Sequence, residues 1–273
     1  MRLGVHLPQF REPVTGAQVT EAARAAEAAG LDDVWVSDHV ILPTGSTRPP
    51  ARFHEPLAVL AWAAAVTSRV GLGTSVLVAP YRSPALLAAS LASLDALSGG
   101  RVIAGLASGW MEAEFDALGV PFRGRGARTD ETIAVCRALW RGDDRFAGRF
   151  TRFDGMGIQP GPARAGGPPV WVGGNSDAGI ARAARLGDAW HTTVSDPERL
   201  RERLAVLDAA LAREERDRAG FTVSVRVRAA PAAAAALAPA LHGLGVDHLL
   251  VDLPRFEERF GEQAAELAAS VPA

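Results

Sequence analysis

The amino-acid sequence predicts an α/β fold: eight strand–helix units closed into a (β/α)8 TIM barrel, with an insertion between strands 4 and 5. Short runs rich in Val, Ile, Leu and Ala alternate with longer stretches of helical spacing along the chain, which calls for a parallel sheet. Eight such runs can be counted, and 273 residues suit one closed barrel better than an open doubly wound sheet. No shift of composition marks a second domain, so residues 1–273 are expected to form a single barrel domain.

The run RLGVHLP at 2–8 reads as the first strand. In the helix after it, Val19, Ala22, Ala23, Ala26 and Ala29 share one face, and Gly30 supplies the stop. DDVWVSD at 32–38 is the second strand, and a Pro- and Gly-rich loop leads to a helix at 55–68. RVGLGTSVLV at 69–78 reads as one continuous third strand, followed by a helix with Pro84 in its first turn and by the fourth strand, RVIAGLAS at 101–108. Residues 110–168 break the rhythm with a short helix at 111–119, a helix at 128–142 and a loop-rich piece with room for a hairpin; this insertion is expected at the barrel mouth. Alternation resumes with strands at 169–173, 188–192, 221–227 and 247–253, each followed by a helix.

Composition limits the partners. Nearly half the residues (48%) are apolar and 22% charged, which supports a large buried core and argues against disorder. The net charge of -2, with scattered basic residues, argues against nucleic acid and against a polybasic membrane patch, leaving small molecules as the expected partners. The chain has no lysine, which excludes Schiff-base chemistry. The single cysteine, Cys136, sits at helical spacing in an apolar stretch and reads as a buried structural thiol. No signal-peptide pattern and no run of membrane-spanning length is visible, so a cytoplasmic location is expected.

In such a barrel the active face is built from the C-terminal ends of the strands. Those ends are Pro8-Gln9, Ser37-Asp38-His39, Thr74-Ser75-Val76, Ser108-Gly109-Trp110, Gly173-Gly174-Asn175-Ser176, His191-Thr192, Arg226-Val227-Arg228 and Asp252. They are rich in hydrogen-bonding groups where the strands behind them are apolar, as expected of a ligand site on a rigid scaffold. Taken singly, each is also an ordinary turn or helix cap, so each ending reads as a turn or as a site. The 173–176 turn is the most informative, because two glycines lead into Asn175-Ser176-Asp177, which can open a helix whose free N–H groups hold a phosphate. A dinucleotide fingerprint is absent, the six histidines are dispersed without metal-ligand spacing, and no nucleophilic-serine motif occurs. No metal is expected.

Three blocks, AARAAEAAGLDDVWVSDHVILP, the stretch from VGLGTSVLVAPYRSPALL through GRGARTDE, and PPVWVGGNSDAGIARAARLGDAWH, carry a match that runs over most of the chain. They resemble the luciferase-like monooxygenase superfamily, in particular its coenzyme F420-dependent oxidoreductase branch. The resemblance implies a homodimeric barrel with a deazaflavin or flavin ring over its mouth. It places Asp38 and His39 beside the ring, Thr74, Ser75 and Val76 at a bulge with a non-proline cis peptide behind it, and Ser108, Gly109 and Trp110 at a binding turn. It assigns Gly173, Gly174 and Asn175 to the phosphate. In the relatives that oxidise glucose 6-phosphate an acidic residue follows the Ser/Thr-Gly pair and lysines hold the phosphate; Trp110 and the absence of lysine argue against a sugar-phosphate substrate, and Trp110 is expected to make the pocket flatter and more apolar.

The implied reaction is hydride transfer between the deazaflavin and a small organic substrate. His39 is the candidate to supply or accept the accompanying proton, since histidine's ordinary pKa lies near ~6.5, and Asp38 the candidate to orient it or hold the cofactor. Glu112 and Glu114 read as helix surface or as support behind the site. Arg82 and the run RGRGAR at 123–128 could pair with an acidic cofactor tail or lie in a solvated loop or dimer contact. Trp35, Trp62, Trp140 and Trp171 are expected in the core. An FMN-dependent monooxygenase of the same fold, and a non-catalytic F420- or flavin-binding protein, are the alternatives.

Overall fold

The computed structural model of the protein describes residues 1–10, 13–47, 49–50, 52–254 and 256–271. In the first half, strands β1 (Arg2–His6), β2 (Asp33–Val36), β3 (Gly71–Thr74), β4 (Leu77–Val78) and β5 (Val102–Ala107) alternate with helices α1 (Gly16–Ala28), α2 (Pro56–Val66) and α3 (Pro84–Ser98). Between β5 and the next barrel strand come α4 (Glu112–Ala117), α5 (Arg125–Arg141) and the antiparallel hairpin of β6 (Arg145–Ala147) and β7 (Arg152–Asp154). The second half runs β8 (Val170–Gly173), α6 (Asp177–Leu186), β9 (Ala189–Thr192), α7 (Pro197–Arg213), β10 (Thr222–Arg228), α8 (Pro231–Gly243), β11 (His248–Asp252) and α9 (Phe256–Ser270).

The strands pair in parallel in the order β3-β2-β1-β11-β10-β9-β8-β5, and β3 also pairs with β5, which closes the ring. Among the described residues this makes eight staves, with β4 continuing β3. The strands are apolar almost throughout because both faces are covered, by helices outside and by the barrel interior within. The outer layer packs residues such as Val34, Leu72, Leu106 and Val172 against the helices. The inner layer is a smaller cluster of Trp35, Ile103, Trp171, Ala189 and Leu250. Gly73 makes room for Trp35: a Cβ there would overlap the indole ring. Helix ends follow local chemistry, with a capping box between Thr15 and Gln18 opening α1 and Gly99, at φ 70°, ending α3.

Three expectations are corrected. The third stave breaks at Ser75-Val76, whose peptide is cis, so it is two strands rather than one run. The hairpin follows the C-terminus of α5 and so lies at the N-terminal end of the barrel; of the irregular segment, Trp110 and Arg125 line the mouth. Trp62 is 54% exposed, lying across Gly16 with its indole N–H on Thr20, whereas Trp35, Trp140 and Trp171 are buried. Cys136 is buried as expected, and burial pushes its thiol up to about 12. Among the described residues no helix is long and apolar enough to cross a membrane.

Candidate active site

The strand ends converge on a cavity of about 560 Å³ at the C-terminal mouth. Of the residues picked out from sequence, Asp38, His39, Ser75, Val76, Ser108, Gly109, Trp110, Gly173, Gly174 and Asn175 line it. Thr74 does not: its side chain is fully buried, and its hydroxyl donates to the Gly105 carbonyl at 2.8 Å. The hydroxyl therefore clasps two staves together.

Asp38 and His39 are neighbours in sequence but point to different partners. Both Asp38 oxygens accept from the Arg82 guanidinium, at 2.6 and 3.0 Å, and one also accepts the Val78 N–H at 2.8 Å. Burial pushes the Asp38 carboxyl up, and Arg82 and the Val78 N–H oppose it. Arg82 is completed by Glu55 at 2.8 Å. That corrects two expectations, since Arg82 is engaged with protein carboxylates instead of a cofactor tail and Asp38 does not orient the histidine.

Glu114 does. Its Oε2 meets His39 Nδ1 at 2.8 Å and the Tyr81 hydroxyl at 3.0 Å, while Oε1 takes the N–H groups of Val40 at 2.6 Å and Ile41 at 3.3 Å. Glu114 is 1% exposed, a buried anchor on α4, so of its two sequence readings it is support behind the site and not helix surface. Burial raises its pKa, but the bonds from His39 and Val40 outweigh this and hold the carboxyl below the usual carboxylate range. Burial and the Glu114 charge push the Tyr81 phenol up, so it stays a donor. The carboxylate fixes His39 Nδ1 as its N–H side and leaves Nε2 as the free end of the ring.

The phosphate-type turn is built as its residues suggested. Gly174 adopts φ 148°, where an added Cβ would meet the α6 backbone at Gly179 at 3.3 Å. A Cβ on Gly173 would meet Val76 at 2.9 Å. Ser176 caps α6 by accepting the Gly179 N–H, which leaves the N–H groups of Asp177 and Ala178 without helix carbonyls to bond. Asn175 is fixed by Thr192 and Thr193, its Oδ1 accepting at 2.8 and 3.3 Å and its amide donating at 2.8 Å. Because α5 starts three residues earlier than its sequence spacing predicted, Arg125 reaches the same cavity, with its guanidinium 3.9 Å above Phe122 and its Nε bonded to the Gly109 carbonyl. Glycine backbone, a helix N-terminus and a guanidinium together form a cradle that fits a phosphate.

Beneath the mouth runs a chain of buried hydrogen bonds that sequence reading missed. Ser75 Oγ meets His191 Nε2 at 2.8 Å, His191 Nδ1 meets Ser224 Oγ at 2.8 Å, Ser224 Oγ meets His248 Nδ1 at 2.7 Å, and His248 Nε2 meets Asp33 at 2.9 Å. Burial, with His248 and Arg226 nearby, drives the His191 pKa well down, so His191 is neutral. Arg226 closes the top of this chain on Ser37 Oγ and the Ser75 carbonyl, each at 2.8 Å. The signal was available: a lone polar residue at an inward position of an otherwise apolar strand.

A second cavity of about 680 Å³ adjoins the first and shares Ser37, His39, Trp110 and Arg226 with it. Phe10, Phe53, Pro49 and Pro50 supply its apolar walls, and Arg228 joins Arg226. His39 therefore stands on the wall common to both compartments.

Comparison with known proteins agrees with this architecture. The family model described as luciferase-like monooxygenase matches residues 1–270. The chain spans 66% of the length of uncharacterized mycobacterial proteins that it matches at 35% identity over 192 residues. It is 35% identical over 195 residues to the F420-dependent glucose-6-phosphate dehydrogenase of Mycobacterium avium (strain 104), covering 67% of this chain and 55% of that one. It is 35% identical over 176 residues to the FMNH2-dependent dimethylsulfone monooxygenase of Pseudomonas fluorescens (strain Pf0-1), covering 63% and 46%. A solved F420-dependent secondary alcohol dehydrogenase shares the fold, with TM-score 0.81 over 100% of this chain and 99% of that chain at 19% identity.

Proposed function

The chain belongs to the luciferase-like monooxygenase family, and from that premise we propose that it is a coenzyme F420-dependent oxidoreductase acting on a small organic substrate. The observation that carries the reading is the place of His39, on the wall between a cavity ending in a phosphate cradle and a second, aromatic-lined cavity. The 35% identity to the F420-dependent glucose-6-phosphate dehydrogenase of M. avium supports it.

The residues fit such a cofactor. Gly174, the N-terminus of α6 and Arg125 would hold its phosphate, and Val76 would support its ring from the floor. When bound, the deazaflavin supplies or takes up the hydride. Glu114 holds His39 Nδ1, so that His39 Nε2 gives the accompanying proton to, or takes it from, the substrate. Trp110 and Phe53 flank His39 at ring distances of 6.3 and 5.2 Å and would be covered together with it once substrate lies against them. Arg226 and the chain behind Ser75 keep the floor rigid, which is positioning rather than chemistry.

One specific finding favours a second reading, FMN-dependent monooxygenation: the match to the FMNH2-dependent dimethylsulfone monooxygenase. Titrating the purified protein with F420 and with FMN, followed by fluorescence quenching, separates the two. Tight FMN binding with no response to F420 would overturn the proposal.

A further inference from the structure

We propose that the second compartment takes a flat, apolar substrate bearing an oxyanion such as a carboxylate, and that Arg228 holds the anion. The inference rests on the reading above, in which that compartment is the substrate's place, and it names the class of substrate.

The walls set the shape. Phe53 stacks on Phe10 with ring centres 4.7 Å apart and planes 17° from parallel. His39 stands edge-on to Phe53 at 72°, and Trp110 edge-on to His39 at 85°. Pro49 and Pro50 close another side with residues that carry no backbone N–H. These surfaces give the compartment aromatic and proline walls that suit a planar body, with the polar groups of Ser37, Thr47 and Arg226 beside them. Trp110 is 64% exposed at this mouth, so a planar ligand lying against it removes apolar area from water.

The charge sets the anion. No carboxylate occurs among the described residues lining the compartment, while two guanidinium groups do. Arg226 is already committed, donating to Ser37 and Ser75 and lying 3.5 Å from Asp252. Arg228 differs. It lies two residues further along β10, so its side chain takes the same face of the strand one step closer to the opening. It has no carboxylate within 4.0 Å among the described residues and no hydrogen bond to them. A planar five-donor fork at the open end of a compartment with aromatic walls matches an oxyanion in two parallel bonds, and carboxylate is the commonest group of that geometry.

The test measures binding to the intact protein, with and without F420, by calorimetry. The probes are 2-naphthoate and its uncharged isostere 2-naphthamide. The expected result is tighter binding of the acid by about tenfold or more, the size of a charge-assisted bidentate contact. Arg228→Gln removes the preference, Arg228→Lys keeps part of it, and Trp110→Ala weakens acid and amide alike. Equal affinities for the two probes, a preference that survives Arg228→Gln, or no measurable binding of the acid each overturn the proposal. F420 affinity, measured in the same samples, separates the failures. Normal F420 binding with no acid preference sinks the substrate class alone, whereas an acid preference without F420 binding sinks the function and leaves the compartment as argued.

Discussion

Replacing Glu114 with Gln keeps the size of the side chain and removes its charge. The carboxylate accepts four hydrogen bonds, from His39, Val40, Ile41 and Tyr81, and is sealed from water. An amide has one acceptor oxygen, so its NH2 must face at least one of those donors and leave it unpaired. Charge-assisted bonds contribute roughly 1.5–3 kcal/mol each, and neighbouring contacts do not add in full. The expected net loss is about 2–3 kcal/mol, or roughly 4–5 °C in Tm for a domain of this size. The loss should depend on pH. Because the folded state holds the Glu114 carboxyl below its ordinary 4.5, its contribution is complete above that value and vanishes as pH falls through the depressed one. Thermal unfolding of wild type and variant, followed by circular dichroism from neutral pH down into the carboxylate range, should show two curves that approach one another on acidification. A variant as stable as wild type at neutral pH, or a deficit that stays constant with pH, would refute the assignment of Glu114 as the ionised anchor of His39.

Three further outcomes follow from the same geometry. His39→Asn should lower turnover by about 10²–10⁴-fold, the range for a lost proton-transfer group, while the cofactor dissociation constant stays nearly unchanged; equal losses in both would make His39 a binding residue. Gly174→Ala, at φ 148° and 3.3 Å from Gly179, should cost about 1–3 kcal/mol of strain and weaken cofactor binding about tenfold, read by fluorescence titration beside Tm. Arg82→Gln strands the buried Asp38 carboxylate and should destabilise by about 3–5 kcal/mol in urea unfolding; a shift of the midpoint within error would contradict the pairing.

The barrel was legible because strands buried on both faces leave an unmistakable apolar run, and the 173–176 turn because glycines before a helix cap have few other uses. His39 could be placed at the mouth for the same reason, as the end of a strand. Its partner was legible only as one of two readings of Glu114, and nothing in the sequence joined the two residues. Asp38 is adjacent in sequence, but its carboxylate is turned onto Arg82, and the group that binds His39 comes from a helix 75 residues away. Periodicity reports which residues share an element and carries no information on which elements meet. The 69–78 run read as continuous because every residue in it suits a strand, so nothing marked the break at Ser75-Val76 except the family resemblance. Ser75 and His191 stand out as strand ends, but a reading confined to strand ends passes over Ser224 and His248, polar residues at inward positions of apolar strands, and with them the chain that joins all four.

The central claim is that His39 serves hydride exchange with a deazaflavin. Anaerobic stopped-flow mixing of the protein and reduced F420 with a panel of planar unsaturated acids tests it most directly. Return of the oxidised deazaflavin spectrum with reduction of the acceptor is expected, and loss of that signal in His39→Asn. Turnover seen only with reduced FMN and molecular oxygen would contradict it.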